Sequence, residues 1–284
     1  MTDSRSDGFP RSCVITGANT GIGRHVALAL AKSGTRLVMA GRDPDRTAPV
    51  VREAHRLAGQ EAVDFVQLDL ASLASVRRAA ARILALRPTI DLLINNAAVA
   101  GGRGLTKDGF ELHFGVNHLG HFLLTSLLLD RIRESAPARI VTVASAAHTK
   151  TSGMDFDAVR RRTATFTGTR EYAVSKLANI LFSDELGRRL EGTGVTTYAV
   201  HPGTVATDIW RRIPSPIRWL VTRGMLSVEE GAAPVLHYAT SPEVAGLTRV
   251  YSHRMEVREP SEPARDRELA EELWRRSEVW VGEA

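Results

Sequence analysis

Short apolar runs alternate along this chain with longer segments of helical period. The runs are Cys13–Thr16, Leu37–Ala40, Val63–Leu68, Ile90–Ile94, Arg139–Val143, Val195–Val200 and Thr248–Tyr251. Runs this short, rich in Val, Ile and Leu, read as strands buried on both faces. Between them the periodicity predicts helices over about Ile22 to Lys32, from Asp43-Pro44 onward, and from Ser72 to about Leu86. A long helix is expected between the fourth and fifth strands. Pro44 suits a first helical turn, while Asp43 and Ser72 are helix-capping residue types. Regular alternation of strand and helix predicts an α/β fold: one doubly wound domain, with a seven-stranded, mainly parallel sheet and helices on both faces. A flexible N-terminus is expected over residues 1–11, the main domain over 12–260 and a helical tail over 261–284. That tail reads as amphipathic from Glu262 to Trp280, with Leu269, Leu273 and Trp280 able to pack on the domain or on a neighbouring copy.

Composition adds exclusions. The 284 residues are 43% hydrophobic and 24% charged, the profile of an ordinary globular protein. A net charge of +5, spread along the chain, does not call for nucleic acid. Cys13 is the single cysteine, so no intramolecular disulfide forms, and its apolar strand predicts a buried thiol. The longest apolar-rich stretch, Phe122 to Leu129, carries Thr125 and Ser126 and is too short to span a bilayer. The polar stretch Met1 to Ser12 lacks the apolar core of a signal peptide, so a cytoplasmic protein is expected.

Thr16 to Gly23 reads Thr-Gly-Ala-Asn-Thr-Gly-Ile-Gly, directly after the first strand and opening a helix. In that setting Gly17, Gly21 and Gly23 permit a tight turn and close approach of backbone to a pyrophosphate, which then rests on the helix N-terminus. Alone, a glycine trio is equally a plain turn; after an apolar strand it predicts a Rossmann dinucleotide site. At the end of the second strand, Gly41 stands where an NAD-selective site carries a carboxylate for the ribose 2′-hydroxyl, and Arg42 follows. Arginine pairs with a 2′-phosphate, so NADP(H) is expected in preference to NAD(H). Asp43 reads as the cap of the next helix.

Farther along, Tyr172 and Lys176 stand four apart in Tyr-Ala-Val-Ser-Lys. On a helix that spacing puts phenol and ammonium on one face. A nearby cation favours phenolate and is expected to lower the tyrosine pKa, fitting it to exchange a proton with an alcohol or ketone. Only four of the 37 basic residues are lysine: Lys32, Lys107, Lys150 and Lys176. An arginine-rich chain has kept a compact ammonium here, where a planar guanidinium would fit poorly. Taken alone, the spacing equally describes an exposed lysine near an unrelated tyrosine. Beside the glycine turn it points to hydride transfer.

With both motifs in place the chain resembles the short-chain dehydrogenase/reductase family, from about Ser12 to Tyr251. Further matches follow in order: Leu68-Asp69-Leu70, Asn95-Asn96-Ala97-Ala98, Asn117-His118-Leu119-Gly120-His121, Val143-Ala144-Ser145 and His201-Pro202-Gly203. Asn117 to Thr125 and Arg265 to Leu269 resemble the retinol-dehydrogenase-like branch. The resemblance implies that Tyr172 is the proton donor in reduction and the base in oxidation, and that Ser145 holds the substrate oxygen. It implies that Lys176 binds nicotinamide-ribose hydroxyls and depresses the tyrosine pKa, and that Asn117 positions a water in a proton relay. For the cofactor it implies Gly17, Asn19, Thr20, Gly21, Ile22 and Gly23 in the turn, with Arg42 beyond it. Asp69 with Leu70 would meet adenine, and Asn95 with Ala97 its ribose. Pro202, Gly203, Val205 and Thr207 would surround the carboxamide. Bland readings stand beside these: Ser145 as a helix cap, Asn117 satisfying a helix bend, Asp69 as a loop acid.

There are departures. Ala98 stands where the family usually has glycine, adding a methyl near the cofactor, and Ala144 replaces a frequent serine. Many retinol dehydrogenases carry an N-terminal membrane segment, which is not found in this sequence. His113, His118 and His121 cluster, yet no cysteine or convergent carboxylate joins them, so packed or polar-satisfied histidines are expected and no metal. An apolar stretch after strand six, Trp210, Ile213, Ile217, Trp219, Leu220 and Met225, reads as a lid within about 204–228 over a lipophilic substrate, or as plain packing. Arg211, Arg212, Arg218 and Arg223 interleave with it, leaving transient membrane contact open. The run Arg160-Arg161-Arg162 reads as solvated surface. The expected activity interconverts a lipophilic aldehyde or ketone and its alcohol, with a homo-oligomer as a further expectation. Two rivals are a noncatalytic NADP(H)-sensing interaction protein and a sugar-nucleotide epimerase or dehydratase. The second usually has Gly-x-x-Gly-x-x-Gly, which this chain lacks.

Overall fold

The computed structural model describes residues 11–59, 62–205 and 225–282. Its sheet has eight strands rather than seven: β1 (Ser12–Thr16), β2 (Arg36–Gly41), β3 (Val63–Gln67), β4 (Leu92–Asn95), β5 (Ala138–Val143), β6 (Val195–His201), β7 (Val250–His253) and β8 (Glu256–Val257). The spatial order is β3-β2-β1-β4-β5-β6-β7-β8. All neighbours are parallel except the antiparallel β7–β8 hairpin. Both residues of β8 are exposed, so it has no apolar run from which to be read. Strands β4 and β7 each begin two residues later than expected, because Ile90 and Thr248 are used outside the ladder. Ile90 is core, but its amide bonds Ser135 Oγ, and Thr248 Oγ1 accepts from Thr197 N.

The helices are α1 (Gly21–Lys32), α2 (Pro44–Ala58), α3 (Leu73–Leu86), a single turn α4 (Leu112–Phe114), α5 (Gly120–Glu134), α6 (Thr169–Arg189), α7 (Val228–Thr240) and α8 (Arg267–Val281). Asp43 caps α2 by accepting from Arg46 N, and Ser72 caps α3 by accepting from Ser75 N. Successive strand residues point to opposite faces, and each face has its own core. Cys13, Ile15, Leu37 and Met39 join Val26 and Leu30 of α1, Val50 of α2 and Ala232 and Val235 of α7. Val14, Val38, Leu93 and Ile140 join Val76 of α3, Phe122 of α5, Leu177 of α6 and Leu273 of α8. Cys13 is fully buried, and burial pushes its thiol well above the ordinary range.

The long helix expected between β4 and β5 is broken. After α4 the chain makes a π-turn, Gly115–Leu119, before α5 begins. Every residue from His113 to Thr125 is buried, so no polar stripe exists whose phase would show the extra residue. The tail also differs in detail: a 3₁₀ turn, Glu262–Arg265, precedes α8, which Asp266 caps through Leu269 N. Leu273 and Trp274 of α8 are core residues, with Leu269 and Trp280 packed against them.

Several expectations lie outside the described residues: Thr207, the stretch 206–224 with Trp210, Ile213, Ile217, Trp219, Leu220, Arg211, Arg212, Arg218 and Arg223, and residues 1–10 of the N-terminal segment. Among the described residues no helix is long and apolar enough to cross a membrane.

Candidate active site

The strand order reverses between β1 and β4, which opens a crevice at the carboxyl ends of the strands. The glycine turn sits there. Gly17 is left-handed at φ 70° and donates to Ala40 O at 2.9 Å. A side chain at Gly23 would run into the Gly17 carbonyl and the Asn96 amide. Gly17, Asn19, Thr20, Gly21 and Ile22 all reach the surface in part. Helix α1 has no acidic residue in its first turn, so its positive end is not neutralised locally. A bare helix N-terminus behind a glycine turn fits a pyrophosphate.

What braces that turn was not among the expected site residues. Asn96 Nδ2 donates to Thr16 O at 2.8 Å and to Gly17 O at 3.3 Å. Thr16 Oγ1 accepts from Asn96 N at 3.0 Å and Ala97 N at 2.9 Å. The same hydroxyl meets His121 Nε2 at 2.9 Å, and His121 Nδ1 lies 3.1 Å from Asn117 O. The network assigns a neutral ring whose Nδ1–H donates to Asn117 O and whose Nε2 accepts from Thr16. Burial agrees, pushing His121 down to about 4. A doublet of asparagines and a histidine four residues after Asn117 were the available signals.

The other expected cofactor residues are placed unevenly. Arg42 directly follows β2 with an exposed side chain beside Gly41, and Asp43 is engaged as a cap. Asn95 is placed differently from the expectation of a ribose contact. It is buried, and its Nδ2 donates to Thr125 Oγ1 of α5 at 3.0 Å, so the neighbour Asn96 holds the turn instead. Asp69 has local partners: Oδ1 accepts from Ala71 N, and Oδ2 pairs with Lys107 Nζ at 3.1 Å. Leu70 is core. Pro202 and Val205 are buried, Gly203 has φ 94°, and Val205 bridges to Leu226.

The expected catalytic set converges beyond β5. Ser145 stands two residues beyond that strand, its side chain beside the Tyr172 phenol. It also caps a short 3₁₀ turn by accepting from Ala147 N at 3.2 Å, as the capping reading of this serine expects. Lys176, one turn beyond Tyr172 on α6, is buried and donates from Nζ to Val143 O at 2.8 Å. Its Nζ lies 5.7 Å from the centre of the Tyr172 ring. The electrostatics differ from the sequence expectation. Burial holds the Tyr172 phenol above its ordinary value, and the neighbouring Ser145 hydroxyl offsets this in part. Burial also pushes Lys176 down to about 7. An ammonium that gives up its proton near 7 is neutral before a phenol ionises, so its spacing from the tyrosine does not lower the phenol.

Asn117 lies within the π-turn. Its Oδ1 accepts from Val99 N at 2.8 Å, and its Nδ2 donates to Val99 O and to Ser175 Oγ at 3.0 Å each. Ser175 Oγ in turn donates to Tyr172 O at 2.8 Å. The asparagine therefore ties the loop after β4 to the turn of α6 that carries Tyr172. The three histidines have separate partners: Glu111 for His113, Ser277 for His118, Thr16 and Asn117 for His121. Burial lowers His118 to about 3.

Comparison with known proteins agrees with this geometry. Residues 11–157 match the family described as short chain dehydrogenase. Human retinol dehydrogenase 13 is 39% identical over 284 residues, covering 96% of this chain and 85% of that one. A solved structure of an uncharacterised Mycobacterium paratuberculosis protein superposes with a TM-score of 0.75 at 34% identity, covering 96% and 94% of the two chains. The NADP complex of Pseudomonas aeruginosa RhlG gives a TM-score of 0.70 at 25% identity, covering 86% and 94%. With its nucleotide-binding crevice and a tyrosine and lysine one turn apart on α6, the chain belongs to the short-chain dehydrogenase family of nicotinamide-dependent oxidoreductases.

Proposed function

We propose that the protein is an NADP(H)-dependent oxidoreductase that interconverts a lipophilic aldehyde or ketone and its alcohol. The observation that carries this reading is the grouping of Ser145 and the Tyr172 phenol with a buried Lys176, next to the glycine turn. When bound, the nicotinamide supplies or accepts the hydride. Ser145 and Tyr172 hold the substrate oxygen between two hydroxyls. In reduction Tyr172 delivers the proton to that oxygen, and in oxidation it removes it. A phenol held above its ordinary value by burial is protonated at neutral pH, which suits the reductive direction. Lys176 and Asn117 fix the helix turn that presents it.

NADP(H) preference is supported by Arg42 at the end of β2, the lack of a carboxylate at Gly41, and the NADP held by RhlG. The apolar substrate class is supported by the name retinol dehydrogenase borne by a relative. It is further supported by Phe166, 87% exposed in the segment leading into α6. The test is NADPH consumption with a panel of lipophilic aldehydes and ketones, retinal included. Tyr172→Phe should lower turnover about 10²- to 10⁴-fold while NADPH still binds. Arg42→Ala should weaken NADPH far more than NADH. Turnover unchanged in Tyr172→Phe would overturn the assignment.

A further inference from the structure

A buried acid–imidazole pair stands behind the tyrosine. Glu111 is 3% exposed and its carboxylate receives four donors. Oε2 accepts from His113 N at 2.7 Å and Phe114 N at 2.9 Å. Oε1 faces His113 Nδ1 at 2.9 Å and accepts a short hydrogen bond from Thr163 Oγ1. The carboxylate takes the Nδ1 side of the His113 ring, leaving the other ring nitrogen, Nε2, outside that bond. That nitrogen is fully buried and has no hydrogen-bond partner among the described residues.

The ring of His113 meets the start of the catalytic helix. It packs edge-on to Tyr172, with centroids 6.3 Å apart and planes at 79°. Its Cε1–Nε2 edge lies against Gly168, where an added Cβ would fall 2.6 Å from Cε1 and 3.1 Å from Nε2. Gly168 is left-handed at φ 70°, caps α6, and its carbonyl accepts the first helical hydrogen bond, from Tyr172 N at 2.9 Å. Through Thr163 the same carboxylate also holds the segment that leads into α6. Thr163 is in turn bonded to Gly104. Buried polar atoms are costly to leave unpaired, and ring packing alone does not need them. An aromatic hydrocarbon would fill the space with no orphaned nitrogen.

We infer that Glu111 and His113 form a positioning pair for Tyr172, fixing the first turn of α6 and so the place of the phenol relative to Ser145. This rests on the reading of Tyr172 as the proton donor. Glu111 anchors the imidazole, the imidazole supports Gly168, and Gly168 begins the hydrogen-bonded turn that ends at Tyr172.

The test compares His113→Phe, which keeps ring volume but loses the bond to Glu111, with His113→Asn, which keeps an N–H for Glu111. Thr163→Val serves as a milder lesion on the same carboxylate should His113→Phe fail to fold. His113→Phe should lower kcat by about tenfold to a hundredfold, the usual cost of a small misplacement. KM for NADPH should stay unchanged, and His113→Asn should recover most of the loss. In parallel, the ring signals of ¹³C-labelled tyrosine are followed in the purified protein. The chain has four tyrosines, and Tyr172→Phe identifies the signal of Tyr172. That signal should shift in His113→Phe, or in Thr163→Val, and return toward its original place in His113→Asn. Full activity with phenylalanine at 113, or a Tyr172 signal unmoved by every lesion, would overturn the pairing. The spectroscopic arm decides even if no carbonyl substrate is turned over, so failure of the reductase reading is told apart from failure of this one.

Discussion

The two faces of the sheet are built from different materials. Under α1, α2 and α7 the core is aliphatic, with Cys13, Met39, Leu30 and Val235 beside the rings of Tyr198 and Tyr238. Under α3, α5, α6 and α8 it is aromatic, with Phe110, Phe114, Phe122, Phe182 and Trp274 in one cluster. Trp274 stacks on Phe182 at 11° and meets Phe122 edge-on at 5.0 Å. Buried ionisable groups also gather on that face: Glu111, His113, His118 and Lys176. The difference teaches where precision is needed. Aliphatic packing tolerates exchange of like volumes, whereas rings and buried hydrogen bonds specify one arrangement. The specified face carries Tyr172.

The largest stability effect should come from the aromatic face. Trp274→Ala should cost about 3–5 kcal/mol in chemical denaturation, since it removes the stack on Phe182 and the edge contact with Phe122. A loss much below that would mean α8 is peripheral. Next is the buried ammonium. Lys176 has an ordinary value of 10.5 and falls to about 7 in the fold. Between those values the unfolded chain holds a proton that the folded chain has released, so this group's stability contribution is complete above the upper value and is lost as pH falls through the lower. Without cofactor, Lys176→Met should therefore melt higher than the parent at about pH 6, with the gap narrowing by about pH 9. A gap that widens with pH would reverse the sign. On the aliphatic face, Met39→Leu should cost less than about 1.5 kcal/mol. Removing one arm of the capping box that opens α7, Ser227→Ala, should cost about 1 kcal/mol. Melting curves for both should leave cofactor binding as it was.

The same contrast explains what could be read in advance. The glycine turn, the capped starts of α2 and α3, and Tyr172 with Lys176 are contiguous in the chain, and local chemistry announces them. The bridge from Thr16 to His121 joins residues 105 apart, and His118 meets Ser277 across 159. No spacing rule reaches that far. His113 reads in the sequence only as one of a cluster of histidines, and Glu111 carries no local signal of its own. Their meaning depends on Gly168, which only the fold brings beside them. A helix bend at Asn117 is one of the readings open in the sequence, but the π-turn itself has no pattern to shift, because residues 113–125 are buried on every side. For Tyr172, spacing reports the nearby cation but not the burial that holds the phenol up, which is a property of the whole structure.

Helix α8 has a consequence for how the protein is made. Its indoles cover rings contributed by Phe110, Phe114, Phe122, Phe156 and Phe182, all specified well over eighty residues earlier. Translation is vectorial, so the aromatic face stays uncovered until residues 267–281 have emerged from the ribosome, long after the strands it lies on could have paired. During that interval the nascent chain presents a sticky surface of the kind that chaperones bind.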